Sequence, residues 1–128
     1  MIVITFGTFD LLHIGHINIL ERSKKLGSKL VVGISTDKFT FSKKNKFPVY
    51  NQNDRKKIVK SLSFVDEVFF EESFEKKREY IKKYNADIFV MGNDWEGRFD
   101  EFNDICKVVY LNRTEGISTT EIVNNIRC

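Results

Sequence analysis

Cysteine is scarce. Cys106 and Cys128 stand far apart and form no CxxC pair. Nothing here frames a disulfide scaffold, and a reducing cytoplasm is the expected home. No apolar run approaches the roughly 18 residues of a membrane helix, and no charged-then-apolar leader opens the chain, so no membrane association is expected. Internal repeats and low-complexity tracts are also missing, which leaves residues 1–128 as one expected domain. Nor does one charge sign dominate. The net charge is +3, with Lys and Arg scattered among the acids. Nucleic acid is therefore not the expected partner, and a local basic cluster for a small anion fits better. Neither GxGxxG nor GxxxxGK[ST] occurs, which argues against a nicotinamide dehydrogenase and a P-loop kinase. Histidine occurs only twice, at His13 and His16. With no cysteine or third histidine nearby, no protein-held metal is expected.

What is present suffices for a core: 41% of the residues are hydrophobic. The organising stretch is the first sixteen residues, MIVITFGTFDLLHIGH. Ile2 to Phe6 is a short β-branched run and reads as a buried strand that stops at Gly7. From about Gly15 the apolar spacing becomes helical, with Ile17 and Leu20 on one face and Glu21, Arg22, Lys24 and Lys25 on the other. The histidines thus sit at a strand-to-helix turn. They are three apart and share a side of the helix. One reading has them capping and packing that helix. The other has them donating hydrogen bonds to a phosphate at the helix N-terminus, where free N–H groups favour anions. Gly15 between them would let a ligand approach the backbone.

A second apolar run, Lys29 to Ser35, completes a βαβ unit and implies a parallel sheet. The basic stretch Lys38 to Lys46 reads as a long loop before Pro48. Asn51 or Asn53 would cap a helix over about 54–63, which puts Arg55 in a first turn that disfavours cations. A strand over 65–70, a charged helix over about 73–84, and strands over 86–92 and 107–111 follow. Asp94 and the single tryptophan, Trp95, would then lie just past a strand end, where an aromatic can line a base or sugar pocket. Near the C-terminal end, Ser118 and Glu121 have capping-box spacing for a last helix.

Two motifs together carry a resemblance. GTFDLLHIGH, from Gly7 to His16, and RTEGISTT, from Arg113 to Thr120, resemble the signatures of the HxGH nucleotidyltransferases, the cytidylyltransferase-like group. GNDWEG, from Gly92 to Gly97, adds to the likeness, which extends over nearly the whole chain. Asn93 departs from the usual spelling, in which another Asp precedes Asp94.

The resemblance implies a three-layer Rossmann-like α/β fold with about five parallel strands in the order 3-2-1-4-5. It implies transfer of CMP from CTP to sn-glycerol 3-phosphate, with Mg²⁺ or another divalent ion accompanying the CTP. A homodimer and a role in teichoic acid or capsule synthesis are implied as well. His13, His16, Lys44 and Arg113 would be catalytic. Thr8, Phe9, Asp10, Gly15, Lys46, Gly92, Asp94, Trp95, Arg113, Thr114, Gly116, Ile117, Ser118 and Thr119 would bind the nucleotide. Lys44, Arg55 and Lys77 would receive the acceptor phosphate, with Lys43 as a rival to Lys44 and Lys46. Other phosphorylated alcohols as acceptor, ATP as donor, and a non-catalytic nucleotide-binding regulator remain as alternatives.

Overall fold

A computed structural model describes residues 1–112 of the chain. Five strands, β1 (Ile2–Gly7), β2 (Lys29–Ser35), β3 (Glu67–Glu71), β4 (Ile88–Gly92) and β5 (Lys107–Leu111), form one sheet. All pair in parallel, in the order 3-2-1-4-5, as expected. Four helices, α1 (Ile14–Lys25), α2 (Asp37–Lys44), α3 (Gln52–Lys60) and α4 (Lys77–Lys83), join them.

The continuous apolar runs explain the layering. A strand sends successive side chains to opposite faces, so a run without polar residues must be covered on both. Val3, Leu30, Val32, Ile34 and Val90 pack with Leu20 of α1 and Val59 of α3 on one face. Ile4, Phe6, Val31 and Phe89 pack with Ile81 of α4 and with Phe99 and Phe102 on the other. Gly33 in β2 is fixed by this second core: a Cβ there would lie 2.6 Å from the Phe6 ring and 2.7 Å from that of Phe69. Strand order reverses at β1, which has β2 on one side and β4 on the other. A crevice therefore opens beyond the carboxyl ends of β1 and β4.

Several boundaries differ from the sequence reading. The expected loop over 38–46 is instead the helix α2. Thr36 caps it, its hydroxyl accepting the Phe39 N–H at 3.1 Å, and Asn45 ends it in the left-handed region at φ 56°. Phe39 and Thr40 are buried and anchor it, a pattern that the lysines obscure. β3 covers Glu67–Glu71 rather than 65–70: the Asp66 carboxylate accepts the Leu30 N–H (2.7 Å), and register pairing with β2 begins at Glu67 opposite Val31. Asn51, not Asn53, caps α3 and moves it forward to Gln52–Lys60. α4 is shorter than expected and starts at Lys77 with no side-chain cap. The helix expected after Ser118 lies outside the described residues.

Candidate active site

The loop after β1 builds the floor of the crevice. Phe9 (φ 53°) and Leu11 (φ 48°) both take the left-handed conformation that side chains other than glycine normally avoid. Gly7 permits this. A Cβ there would meet the Phe9 ring at 2.8 Å, so the ring lies over bare backbone. The same ring meets His16 edge-on at 5.4 Å. Phe9 was expected to bind the nucleotide; its ring is buried, which leaves its backbone to do so. Asp10 ties the loop outward: its carboxylate accepts the N–H groups of Val49 (2.7 Å) and Tyr50 (2.9 Å).

The histidines cap α1 with each other. His13 is the N-cap residue, and its Nδ1 accepts the Gly15 N–H at 3.0 Å. His16 reaches back, and its Nδ1 accepts the His13 N–H at 3.2 Å. The rings stack at 3.8 Å. A nitrogen that accepts carries no proton, so these bonds assign the neutral proton of each ring to Nε2. Capping and ligand binding are therefore compatible, since one nitrogen closes the helix and the other is left as a donor. Both rings favour the neutral form. Burial lowers the pKa of His13. Burial first, and the charges of His13 and Lys44 after it, push His16 down to about 4 against the opposing charge of Asp10. At neutral pH the N-terminus of α1 thus presents two paired N–H donors.

This shift makes a prediction about stability. The folded-state pKa of His16 lies below its unfolded value near 6.5, so the unfolded chain takes up the proton first. The stability contributed by neutral His16 is complete above about pH 6.5 and is lost as pH falls through about 4. His16→Asn keeps an acceptor for the His13 N–H but cannot titrate. Its urea midpoint should therefore fall less between pH 7 and pH 5 than that of the wild type.

The cations divide in two. Lys44 and Lys46 are exposed, and the charge of Lys44 is felt at His16. Lys43 turns inward, donating to Ser35 Oγ at 3.2 Å and lying over the Phe39 ring at 4.2 Å. Arg55, expected at a substrate phosphate, is placed differently: it is wholly buried. Its Nε donates to the Tyr50 carbonyl (3.0 Å), and Nη1 to those of Thr8 (2.7 Å) and Ser35 (2.8 Å). Nη2 donates to the Asp37 carboxylate (2.7 Å). A buried guanidinium needs such partners, and these four spend it on fastening the β1 loop to β2, α2 and α3. Lys77 is likewise buried, although it lines the cavity beside Trp95. Its ammonium pairs with Glu71 and lies over the rings of Phe6 and Phe74, at 4.4 and 4.8 Å. Glu71 and Ser35 were not singled out in the sequence. Neither carries a distinguishing signal in the sequence, since Glu71 closes a strand that also opens on a glutamate, Glu67.

Beyond β4, Gly92 leads into a 3-10 turn over Asn93–Trp95. A Cβ on Gly92 would find only ordinary contact, with Ile19 at 3.8 Å, so packing alone does not demand glycine there. Asp94 is exposed, and Trp95 packs half-buried against Phe99 at 5.5 Å. With Phe74, Lys77, Arg98 and Phe102 these rings line a cavity of about 230 Å³. Asn93 Nδ2 donates to Asn112 Oδ1 at 3.0 Å, and Arg22 Nη1 donates to the Asn112 carbonyl at 2.6 Å. The chain is thus held from two sides just ahead of Arg113. Arg113, Thr114, Gly116, Ile117, Ser118 and Thr119 lie outside the described residues. Among the described residues, no group of three or more His, Cys, Asp or Glu could hold a metal ion, and no helix is long and apolar enough to cross a membrane.

Comparison with known proteins gives the family and the fold. The model of the cytidylyltransferase-like family matches residues 4–125. The chain is 55% identical over 124 residues to the glycerol-3-phosphate cytidylyltransferase of Bacillus subtilis (strain 168), covering 97% of this chain and 95% of that one. It is 48% identical over 120 residues to the enzyme of the same name from Staphylococcus aureus, covering 94% and 90%. Among solved structures, a lipopolysaccharide core biosynthesis protein from Thermoplasma volcanium superposes with a TM-score of 0.77 at 27% identity, over 90% of this chain and 98% of that one.

Proposed function

The chain belongs to the cytidylyltransferase-like family, and from that premise we propose that it transfers CMP from CTP to sn-glycerol 3-phosphate, giving CDP-glycerol and pyrophosphate. The observation that carries the chemistry is the pair of Nε2–H donors that His13 and His16 hold side by side at the N-terminus of α1. The relatives' identity carries the choice of substrates.

The reaction needs no covalent enzyme intermediate, because a phosphate monoester is already a nucleophile. An oxygen of the acceptor phosphate forms a bond to the α-phosphorus. The bond from that phosphorus to the bridging α–β oxygen breaks, and its electron pair leaves with pyrophosphate. Catalysis is then alignment plus stabilisation of growing charge. His13 and His16 donate to the α- and β-phosphate oxygens. The backbone of Thr8, Phe9, Asp10 and Gly15 supports the nucleotide, and Gly92, Asp94 and Trp95 flank its base and ribose. Lys46 and the segment of Arg113, Thr114, Gly116, Ile117, Ser118 and Thr119 hold the triphosphate end. Lys44 lies between the two phosphate-bearing substrates, whose mutual repulsion a cation must offset.

Mg²⁺ or another divalent ion would accompany CTP and would supply shielding of the triphosphate charge. With no metal cluster among the described residues and both Asp10 oxygens engaged by backbone, no protein ligand is assigned to it. The enzyme works as a cytoplasmic homodimer, and its product supplies a glycerol-phosphate polymer such as a teichoic acid or a capsule.

Glycerol 3-phosphate labelled with ¹⁸O on phosphorus tests the chemistry. Label found only in CDP-glycerol fits attack by the acceptor phosphate. Label in pyrophosphate contradicts it.

A further inference from the structure

Two lysines converge on one carboxylate beneath the carboxyl ends of β2 and β3. Glu71, the last residue of β3, is 1% exposed. One oxygen pairs with Lys77, which is 2% exposed. The other accepts from Ser35 Oγ at 3.4 Å, and Ser35 Oγ in turn accepts from Lys43 Nζ at 3.2 Å. A hydroxyl therefore relays the second ammonium to the same carboxylate. Phe6, Phe39 and Phe74 wall the cluster with ring faces.

Two ammonium groups against one carboxylate leave the cluster one negative charge short. The neighbouring pair, buried Arg55 with partly exposed Asp37, is already balanced. Burial lowers the pKa of Lys77 and brings that of Lys43 down to about 8; in both cases Glu71 is the group that opposes the fall. Lys77, Lys44 and Arg55 all repel the charge on Lys43, and Glu71 opposes the loss of the proton at both Lys43 and Lys77, so without Glu71 the ammonium groups would lose protons more readily. Lys44, adjacent to Lys43 on α2, is exposed, and its charge is felt at His16. The Lys77 side also opens on the cavity lined by Phe74, Trp95 and Arg98.

We propose that Glu71 is a positioning residue for the acceptor: through Lys77 and, by way of Ser35, Lys43, it keeps two ammonium groups charged and aimed at the subsite of the acceptor's phosphate. This rests on the reaction proposed above. Glu71 does not touch the reacting atoms. It sets the charge of groups that attract the dianion, and the missing negative charge of the cluster is the one the acceptor brings.

Steady-state kinetics with each substrate varied, from pH 6.5 to 9, test this in wild type and in Glu71→Gln. The expected result is an acceptor KM at least about 10-fold higher at pH 8, the loss of a charge-assisted contact, with the CTP KM changed less than about 2-fold. The alkaline limb of kcat/KM for the acceptor moves to lower pH, so part of the loss is recovered at pH 6.5. A merely structural glutamate would leave that limb where it is. If Glu71→Gln does not fold, Ser35→Ala decides: it cuts the relay to Lys43 but leaves the Glu71–Lys77 pair. An unchanged acceptor KM and an unmoved limb in the folded variant overturn the proposal. Wild-type protein that does not turn over CTP with glycerol 3-phosphate would instead overturn the reaction on which it rests.

Discussion

Replacing His16 with alanine lowers turnover by at least ~100-fold, or about 2.7 kcal/mol of transition-state stabilisation. The magnitude follows from the work assigned to Nε2–H. A neutral, fixed donor in a partly dry site meets an oxygen whose charge grows during the reaction, and it needs no reorganisation to do so. Alanine also removes the cap on the His13 N–H, so that variant mixes two effects. His16→Asn separates them. Its side-chain oxygen takes the place of Nδ1 and keeps the cap, but nothing replaces Nε2. The asparagine variant should therefore unfold near the wild-type urea midpoint at pH 7 and still lose at least ~100-fold in turnover. Near-normal turnover in the folded asparagine variant would sink the assigned role.

Arg55→Ala costs about 3–5 kcal/mol of stability, the usual range for breaking a buried charged network by removing one partner. The residue is wholly buried, and its loss leaves the carbonyls of Thr8, Ser35 and Tyr50 without their donor and Asp37 without its counter-ion. Each orphaned acceptor is expensive where water cannot reach it. Lysine does not rescue the variant, because a single ammonium cannot span four acceptors that a planar fork reaches at once. Urea midpoints of the alanine and lysine variants read the stability loss. Turnover should fall with it, since the β1 loop that supports the histidines hangs from the Thr8 carbonyl. A midpoint within about 0.5 kcal/mol of wild type would mean that the fork is not needed to hold the loop.

Much of this was legible in the chain, for identifiable reasons. β5 runs over the expected residues, and β1, β2 and β4 lie where the apolar runs place them, because strands buried on both faces read as uninterrupted hydrophobics. The histidines stood out by rarity and by their place after a strand and a glycine. Arg55 stood out by working against its helix dipole. The resemblance placed it at the acceptor phosphate, whereas its partners in the structure are Asp37 and three carbonyls. Pattern alone does not distinguish a buried anion from a ligand. The helix α2 was hidden because lysine is neutral as a signal, and its caps, Thr36 and Asn45, show only once the register is known. That error also left Lys43 and Lys44 unresolved. On a helix, adjacent residues point about 100° apart, so Lys43 turns inward to Ser35 while Lys44 stays exposed. Glu71 was illegible because an acid at a strand end, followed directly by Glu72, looks solvated. Its burial depends on Lys77, which comes from a different element.

The central claim is the reaction itself, and pyrophosphate release tests it most directly. Purified full-length protein with Mg²⁺ is offered CTP or ATP, each paired with glycerol 3-phosphate, phosphoethanolamine, phosphocholine and other polyol phosphates. The account predicts release with CTP and glycerol 3-phosphate, and little with the other pairs. Preference for another acceptor with CTP would contradict the substrate while leaving the histidine chemistry standing. No release with any pair, from protein that still binds CTP, would contradict the account as a whole and identify a nucleotide-binding regulator.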